Sequence, residues 1–179
     1  MASALSLSLA LLSATLFLAS APATDASRPS RGLGSVCRHT DYPTLCQSAL
    51  GRRQHVDPIS ATAASVKALM AKTAQARAYA QRLITSGRVY GMGKGNLKVC
   101  KENYSDALAN LATSLKNLHS RAHADLLSNL SAVGTDIDTC DDGYKETPGL
   151  RSPMVNYQKN LSKMASNCLA LATAVKKGH

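Results

Sequence analysis

A chain of 179 residues with 45% apolar side chains is long enough for one domain and too apolar for a disordered polymer. It has no Trp and one Phe, and it is rich in Ala and Leu, which argues against a sheet core of aromatic and β-branched residues and favours helix. The net charge of +10 makes polyanions natural contacts, whether nucleic acid, anionic lipid or acidic polysaccharide, and the compartment decides among them.

The first stretch addresses the compartment. Leu5 to Leu18 is an apolar run, too short and too N-terminal for a good membrane span. Small residues follow, and Ala21-Pro22-Ala23 fits an A-x-A cleavage site ahead of Thr24. Residues 1–23 therefore read as a secretory signal peptide, although no Lys or Arg precedes the run. The mature chain is expected to be secreted and extracellular, with no membrane partner. Five cysteines in such a chain imply two disulfides and one thiol left over. Sequons at Asn103, Asn129 and Asn160 agree with the secretory route and are candidate glycosylation sites.

Residues 24–35 are small, polar and basic, and they read as a flexible N-terminus. One domain is expected over residues 36–179, with a helical hairpin at 36–51 and a bundle at 57–178. Cys37 and Cys46 bound the hairpin, and Tyr42-Pro43 breaks it, because proline forces the preceding residue out of the helical region. Pro43 suits the first position of a helix running to Leu50, with Gly51 as its stop. The spacing allows a Cys37–Cys46 bridge across two short arms. No second Cys/His pair stands nearby at metal-ligand spacing.

Asp57-Pro58 is an N-cap followed by proline, so a long helix is expected to begin there. Its stripe is Val66, Leu69, Thr73, Ala76, Ala80 and Leu83, and it ends at Ser86-Gly87. The glycine-rich segment Gly87–Asn96 reads as a flexible connector. It is not a phosphate loop, since Gly93-Lys94 is followed by Gly95 rather than Ser or Thr.

Two amphipathic helices come next, within Lys94–Tyr144. The first carries Leu97, Cys100, Tyr104, Leu108, Leu111, Leu115 and Leu118, and the second carries Leu127, Leu130, Val133, Ile137, Cys140 and Tyr144. The polar segment His119–His123 turns the chain between them. Cys100 lies twenty residues before Ser120 and Cys140 twenty after it, so an antiparallel hairpin brings the two cysteines side by side. A Cys100–Cys140 disulfide would staple the far end. Thr147-Pro148-Gly149 breaks the second helix, and Ser152-Pro153 opens the last one. Its seam is Met154, Tyr157, Leu161, Met164, Cys168, Leu171 and Val175, with Gly178 as its stop. Cys168 on this seam reads as a buried free thiol. Four long helices with one stripe each predict an all-α, up-down-up-down four-helix bundle with an N-terminal disulfide-linked hairpin.

No catalytic motif stands out, and no cofactor or metal is expected. His119 and His123 stand four apart, but at a solvated turn beside Arg121 and without a completing carboxylate or cysteine pair. Asp136, Asp138, Asp141 and Asp142 lack the spacing and the glycine of a calcium loop and read as an acidic helix face. The basic residues have no interleaved aromatics, and secretion removes nucleic acid as a partner. These features point away from an enzyme and toward a binding or inhibitory module.

The chain resembles the plant invertase and pectin methylesterase inhibitor family over nearly its whole mature length. The resemblance is carried by Cys37-x8-Cys46 with Tyr42-Pro43 inside, the Ala-rich first helix and the run Cys100-Lys-Glu-Asn-Tyr-Ser-Asp-Ala-Leu. Leu130-Ser-Ala-Val-Gly-Thr-Asp-Ile-Asp-Thr-Cys140 and Ser166-Asn-Cys-Leu-Ala-Leu in the last helix extend it. It implies a four-helix bundle with a small N-terminal hairpin, first-to-second and third-to-fourth cysteine bridges, and inhibition by covering an enzyme's active-site cleft. It further implies that Glu102, Asn103 and Asp106 on one hairpin helix and Thr139 and Asp142 on the other face a pectin methylesterase in the plant cell wall. An acidic family position after Asp106 is Ala109 here. The invertase-inhibiting group carries Pro-Lys-Phe where this chain has His123-Ala124-Asp125, which favours pectin methylesterase as partner over acid invertase. A basic wall protein that binds anionic pectin directly is a third reading, motivated by the charge.

Overall fold

The computed structural model describes residues 33–51 and 56–176. The expected signal peptide, nearly all of the expected flexible N-terminus and the expected Gly178 stop lie outside the described residues. Six helices follow in order: α1 Leu33–Cys37, α2 Pro43–Leu50, α3 Pro58–Thr85, α4 Gly91–Ser120, α5 His123–Lys145 and α6 Val155–Lys176. Among the described residues there is no strand. The helical unit thus opens at Leu33, a little ahead of the expected boundary at residue 36.

Helices α3 to α6 form the four-helix bundle. α4 packs on α3 and α5, and α6 closes the ring against α5 and α3. Short connections between consecutive neighbours make the arrangement up-down-up-down. The α3 start is built as its sequence suggests. The Asp57 carboxylate accepts the backbone N–H groups of Ile59 and Ser60, each at 3.0 Å, and Pro58 fills the first turn. At the α4–α5 turn Arg121 takes the left-handed conformation at φ 59°, and the Ala122 N–H reaches back to Asn117 O at 3.0 Å, which ends α4 sharply.

The apolar stripes meet in one core that includes Leu69, Leu97, Tyr104, Leu111, Leu130, Ile137 and Leu161. Cys168 is fully buried in it with its sulfur 3.1 Å from Ser65 Oγ. Burial in these surroundings pushes the Cys168 thiol up to about 12, the Ser65 hydroxyl opposing only in part. A second cluster of Val36, Cys37, Cys46, Leu50 and Val56 seats the small hairpin on Ala61 and Leu171. Asn167 of α6 fixes that seat. Its Oδ1 accepts the Tyr42 N–H at 3.0 Å, and its Nδ2 donates to Tyr42 O at 2.9 Å.

Two sequence readings are corrected. Gly91–Asn96 was expected in a flexible connector but forms the first turns of α4, leaving only Ser86–Tyr90 between helices. Packing overrides the poor helix propensity of glycine here. The Tyr144 hydroxyl donates to Gly93 O at 3.0 Å, and a Cβ on Gly93 would meet Val89 at 3.1 Å and Leu150 at 3.6 Å. On α5 the residue buried deepest at the N-terminal end is Leu126, one and two turns before Leu130 and Val133, while Leu127 is only partly covered. A one-residue error in phase rotates a helical stripe by about 100°. In the same way Ala107 and Ser114 occupy the core line of α4, with Leu108 and Leu115 beside it.

Candidate binding face

The α4–α5 pair is fixed along one seam. Cys100 and Cys140 are both buried and disulfide-bonded, their Cα atoms 4.3 Å apart. Four residues before Cys100, Asn96 sits against Gly143. A Cβ there would lie 2.9 Å from Asn96 Oδ1, so the backbone of α5 approaches α4 as closely as glycine permits. Further along, Asn110 Nδ2 donates to Asp136 Oδ2 at 2.8 Å. Tyr104 lies under the staple. Its hydroxyl donates to Gln158 Oε1 of α6 at 3.0 Å, and Gln158 Nε2 in turn donates to Ile137 O of α5. Burial pushes the Tyr104 hydroxyl well above its ordinary range, with the Asp141 and Tyr144 charges adding to it. One buried glutamine thus ties α4, α5 and α6 together. The second bridge, Cys37–Cys46, closes the N-terminal hairpin.

Of the five residues expected to face a partner, three are exposed and two are tied down. Glu102 and Asp106 stand one helical turn apart on the outer side of α4. Asp142 is exposed on α5, with its carboxylate 3.4 Å from Lys145 Nζ. Lys145 also pairs with Asp141 at 3.2 Å. Asn103 and Thr139 are half-buried and turned to their own helices. The Asn103 amide donates to Val99 O at 3.0 Å and the Thr139 hydroxyl to Thr135 O at 2.8 Å. All three sequons lie within helices, Asn103 on α4, Asn129 on α5 and Asn160 on α6.

One group on this face was visible in the sequence without its role. Asp136 read only as part of an acidic surface, yet it lies at the seam. Its carboxyl is held above the ordinary 3.8, chiefly by burial, with the Asn110 hydrogen bond opposing and the charge of Asp106 adding to the shift. Asp106 and Asp136 are therefore close enough across the two helices to repel. The spacing Asp136-x-x-Thr139 was the available signal, since it places both residues on the side of α5 that faces α4. The two histidines do not form a site. His119 Nδ1 contacts Leu115 O at 2.5 Å, and His123 borders an apolar pocket of about 100 Å³ with Ile59, Leu118, Leu126 and Val175. Among the described residues no group of three or more His, Cys, Asp or Glu could hold a metal ion. No described helix is long and apolar enough to cross a membrane.

A disulfide-stapled helical bundle that presents carboxylates on the outside of one rigid helix pair has the build of a binding module. The chain belongs to the plant invertase/pectin methylesterase inhibitor family, whose profile matches residues 33–171, and members of that family are inhibitors rather than enzymes. It is 28% identical over 160 residues to "Probable pectinesterase/pectinesterase inhibitor 61" of Arabidopsis thaliana, covering 80% of this chain and 26% of that protein. The chain thus spans about a quarter of the length of that relative. It is 30% identical over 78 residues to "Putative invertase inhibitor" of Platanus orientalis, covering 44% of this chain and 46% of the other. The fold matches a crystal structure of a mutant form of a pectin methylesterase inhibitor from Arabidopsis, with a TM-score of 0.68 and 22% identity. That match covers 79% of this chain and 95% of the other.

Proposed function

We propose that this protein is a secreted inhibitor of a plant pectin methylesterase, acting outside the cell by covering the enzyme's active-site cleft with the α4–α5 face. The observation that supports this reading is the fixed seam with Glu102 and Asp106 exposed beside it. Neither carboxylate has an ion-pair partner among the described residues. A cleft made to take an acidic sugar chain offers hydrogen-bond donors and cationic groups. Unneutralised carboxylates on a rigid platform suit such a cleft, and rigidity limits the entropy lost on binding. Asp142 joins them once its contact with Lys145 is exchanged for one with the partner, while Thr139 and Asn103 supply hydroxyl and amide surface between.

Inhibition of an acid invertase is the second reading, and the Platanus relative favours it. The absence of Pro-Lys-Phe before α5 weighs against it. Titrating the purified protein against a plant pectin methylesterase and a plant acid invertase side by side decides between them. Stoichiometric loss of methylesterase activity with invertase untouched is expected. The reverse pattern would move the protein to the invertase group, and no effect on either enzyme would overturn both readings.

A further inference from the structure

Charge on this bundle is segregated by helix. α5 carries Asp125, Asp136, Asp138, Asp141 and Asp142 against the single cation Lys145. α3 carries Lys67, Lys72, Arg77 and Arg82 and no carboxylate at all. On α4, Lys94, Lys98 and Lys101 recur at helical spacing, so they share one side of that helix. That side faces α3, because Lys101 and Arg77 line a common groove of about 390 Å³ with Ala78, Gln81 and Ser105. Arg77 Nη1 lies 3.5 Å from Ser105 Oγ across it. Arg88, in the α3–α4 connection, is exposed as well. The two ion pairs among the described residues both belong to Lys145, so Arg77, Arg88, Lys94, Lys98 and Lys101 have no ion-pair partner there. Arg77 and Lys101 line the groove itself, and Lys98 and Lys94 continue from it along the same side of α4, on the flank away from the α5 seam.

We propose that the α3–α4 groove is a second binding surface, which takes a linear polyuronate of the kind left when pectin loses its methyl esters. The choice of this polyanion rests on the proposed target, since a pectin methylesterase leaves one carboxylate on each sugar it acts on. The groove itself is read from the charges alone. A polyuronate alternates carboxylates with hydroxyls. The groove likewise sets Gln81, whose side-chain amide can pair with hydroxyls, beside the cations Arg77 and Lys101, while the Ser105 hydroxyl donates to Lys101 O at 3.0 Å and keeps its oxygen as an acceptor. Lys94 to Ser105 spans about 16 Å along α4, enough to engage several sugars in a row. A bilayer would ask for an exposed apolar stripe, and single-stranded nucleic acid for rings on which bases stack. The groove lining has neither, the exposed Tyr90 and Met92 standing outside it, at the α3–α4 connection and the start of α4. An inhibitor held this way by the product of its target would be concentrated where the enzyme has been working, with the α4–α5 face still free.

The test is binding of the purified protein to fluorescent polygalacturonate with no enzyme present, at low and at high salt. Saturable binding that weakens with salt is expected, with none to fully methyl-esterified pectin. Arg77→Glu/Lys101→Glu should weaken it about tenfold or more, and Arg77→Gln/Lys101→Gln by a smaller but measurable factor. Lys72→Glu/Lys159→Glu changes the net charge equally from other surfaces and should weaken it less than about threefold. Circular dichroism checks that each variant is folded. No binding to polygalacturonate, equal losses from the two charge-reversed pairs, or tighter binding to anionic vesicles or single-stranded DNA would each overturn the proposal. The methylesterase assay on the same samples keeps the readings apart. Arg77→Glu/Lys101→Glu should still inhibit, and a wild-type protein that binds polygalacturonate but inhibits nothing would sink the inhibitor reading alone.

Discussion

Replacing Asp106 with Arg should separate binding from folding. Asp106 is exposed on α4, and its charge helps hold the Asp136 carboxyl of α5 above its ordinary value. Arginine at this position removes a like charge from Asp136 and supplies an opposite one. Exposed pairs of this kind stabilise by about 0.2–1 kcal/mol. The melting temperature should therefore hold or rise, by up to about 4 °C for a domain of this size. Binding should move the other way. A wrong charge forced into a desolvated contact costs roughly 2–5 kcal/mol, which is about a 30- to 5,000-fold rise in the inhibition constant. The assay is residual methylesterase activity against inhibitor concentration, for wild type and Asp106→Arg, with a thermal melt on the same preparations. The expected variant melts at or above wild type and inhibits at least about thirtyfold less well. Equal inhibition by both would remove Asp106 from the face. A fall in melting temperature that parallels the loss of inhibition would show that the residue supports the fold instead.

Asp136 carries the complementary prediction. Its folded pKa is raised above 3.8, so the ionised carboxylate costs stability above that pKa, and the cost disappears as the pH falls through it. Asp136→Asn keeps an acceptor for Asn110 and should stabilise by about 0.5 kcal/mol at pH 7 but not near pH 3, as read from denaturant midpoints. A gain that persists at low pH would rule out the electrostatic cause. The disulfides should differ in worth. Removing Cys100–Cys140, with a sequence separation of 40, should cost about 4 kcal/mol, and Cys37–Cys46, with a separation of 9, about 2.5 kcal/mol. Double alanine variants in guanidinium melts test the order, and the reverse order would contradict it. Cys168 is buried with its thiol pushed up to about 12, so it should not react with a disulfide reagent at neutral pH until the protein unfolds. Rapid labelling of the native protein would contradict its place in the core. Asp57 is held below 3.8, first by its side-chain hydrogen bond with Ser60, against a smaller opposing effect of burial. The stability this gives is present above that value and lost as the pH falls through the folded pKa. Asp57→Ala should therefore cost about 1 kcal/mol at neutral pH and progressively less in acid, as a series of denaturant melts would show.

The parts of the fold legible in the sequence are those set by local rules. The Asp57-Pro58 start, the break at Pro148-Gly149 and the α4–α5 turn each follow from one or two residues, and the twenty-and-twenty spacing of Cys100 and Cys140 follows from the turn. The segments misread are those where distant residues decide. Gly91–Asn96 is helical because Tyr144 holds Gly93 O and because Asn96 packs on Gly143, contacts about fifty residues apart in the chain. Gln158 and Asn167 are polar residues next to the apolar seam of α6, which the periodicity alone does not place inside. Both are buried, at 5% and 1% exposure, because Tyr104 and Tyr42 give them partners. The face itself was legible only as a list. Family resemblance supplied Glu102, Asn103, Asp106, Thr139 and Asp142, but nothing in one sequence tells a free carboxylate from an amide bonded to its own helix, or pairs Asp106 with Asp136.

That pairing bears on why the staple is placed where it is. Two carboxylates that repel across a helix pair push the helices apart, and α5 as a whole carries five acidic groups against one basic group. Left to side-chain packing alone, this end of the hairpin would be among the first to open. The disulfide sits at that end, with Gly143 admitting the close approach and Gln158 bonded beneath it. A covalent link does not depend on the charges beside it. The outer surface can therefore keep unneutralised carboxylates, which a cationic cleft would compensate, while the helix spacing stays fixed. On the proposed function, the repulsion is a cost carried by the free protein that binding to the enzyme would relieve. For that reason substitutions which relieve it permanently, Asp136→Asn and Asp106→Arg, are expected to stabilise the free protein, and Asp106→Arg to do so at the expense of inhibition.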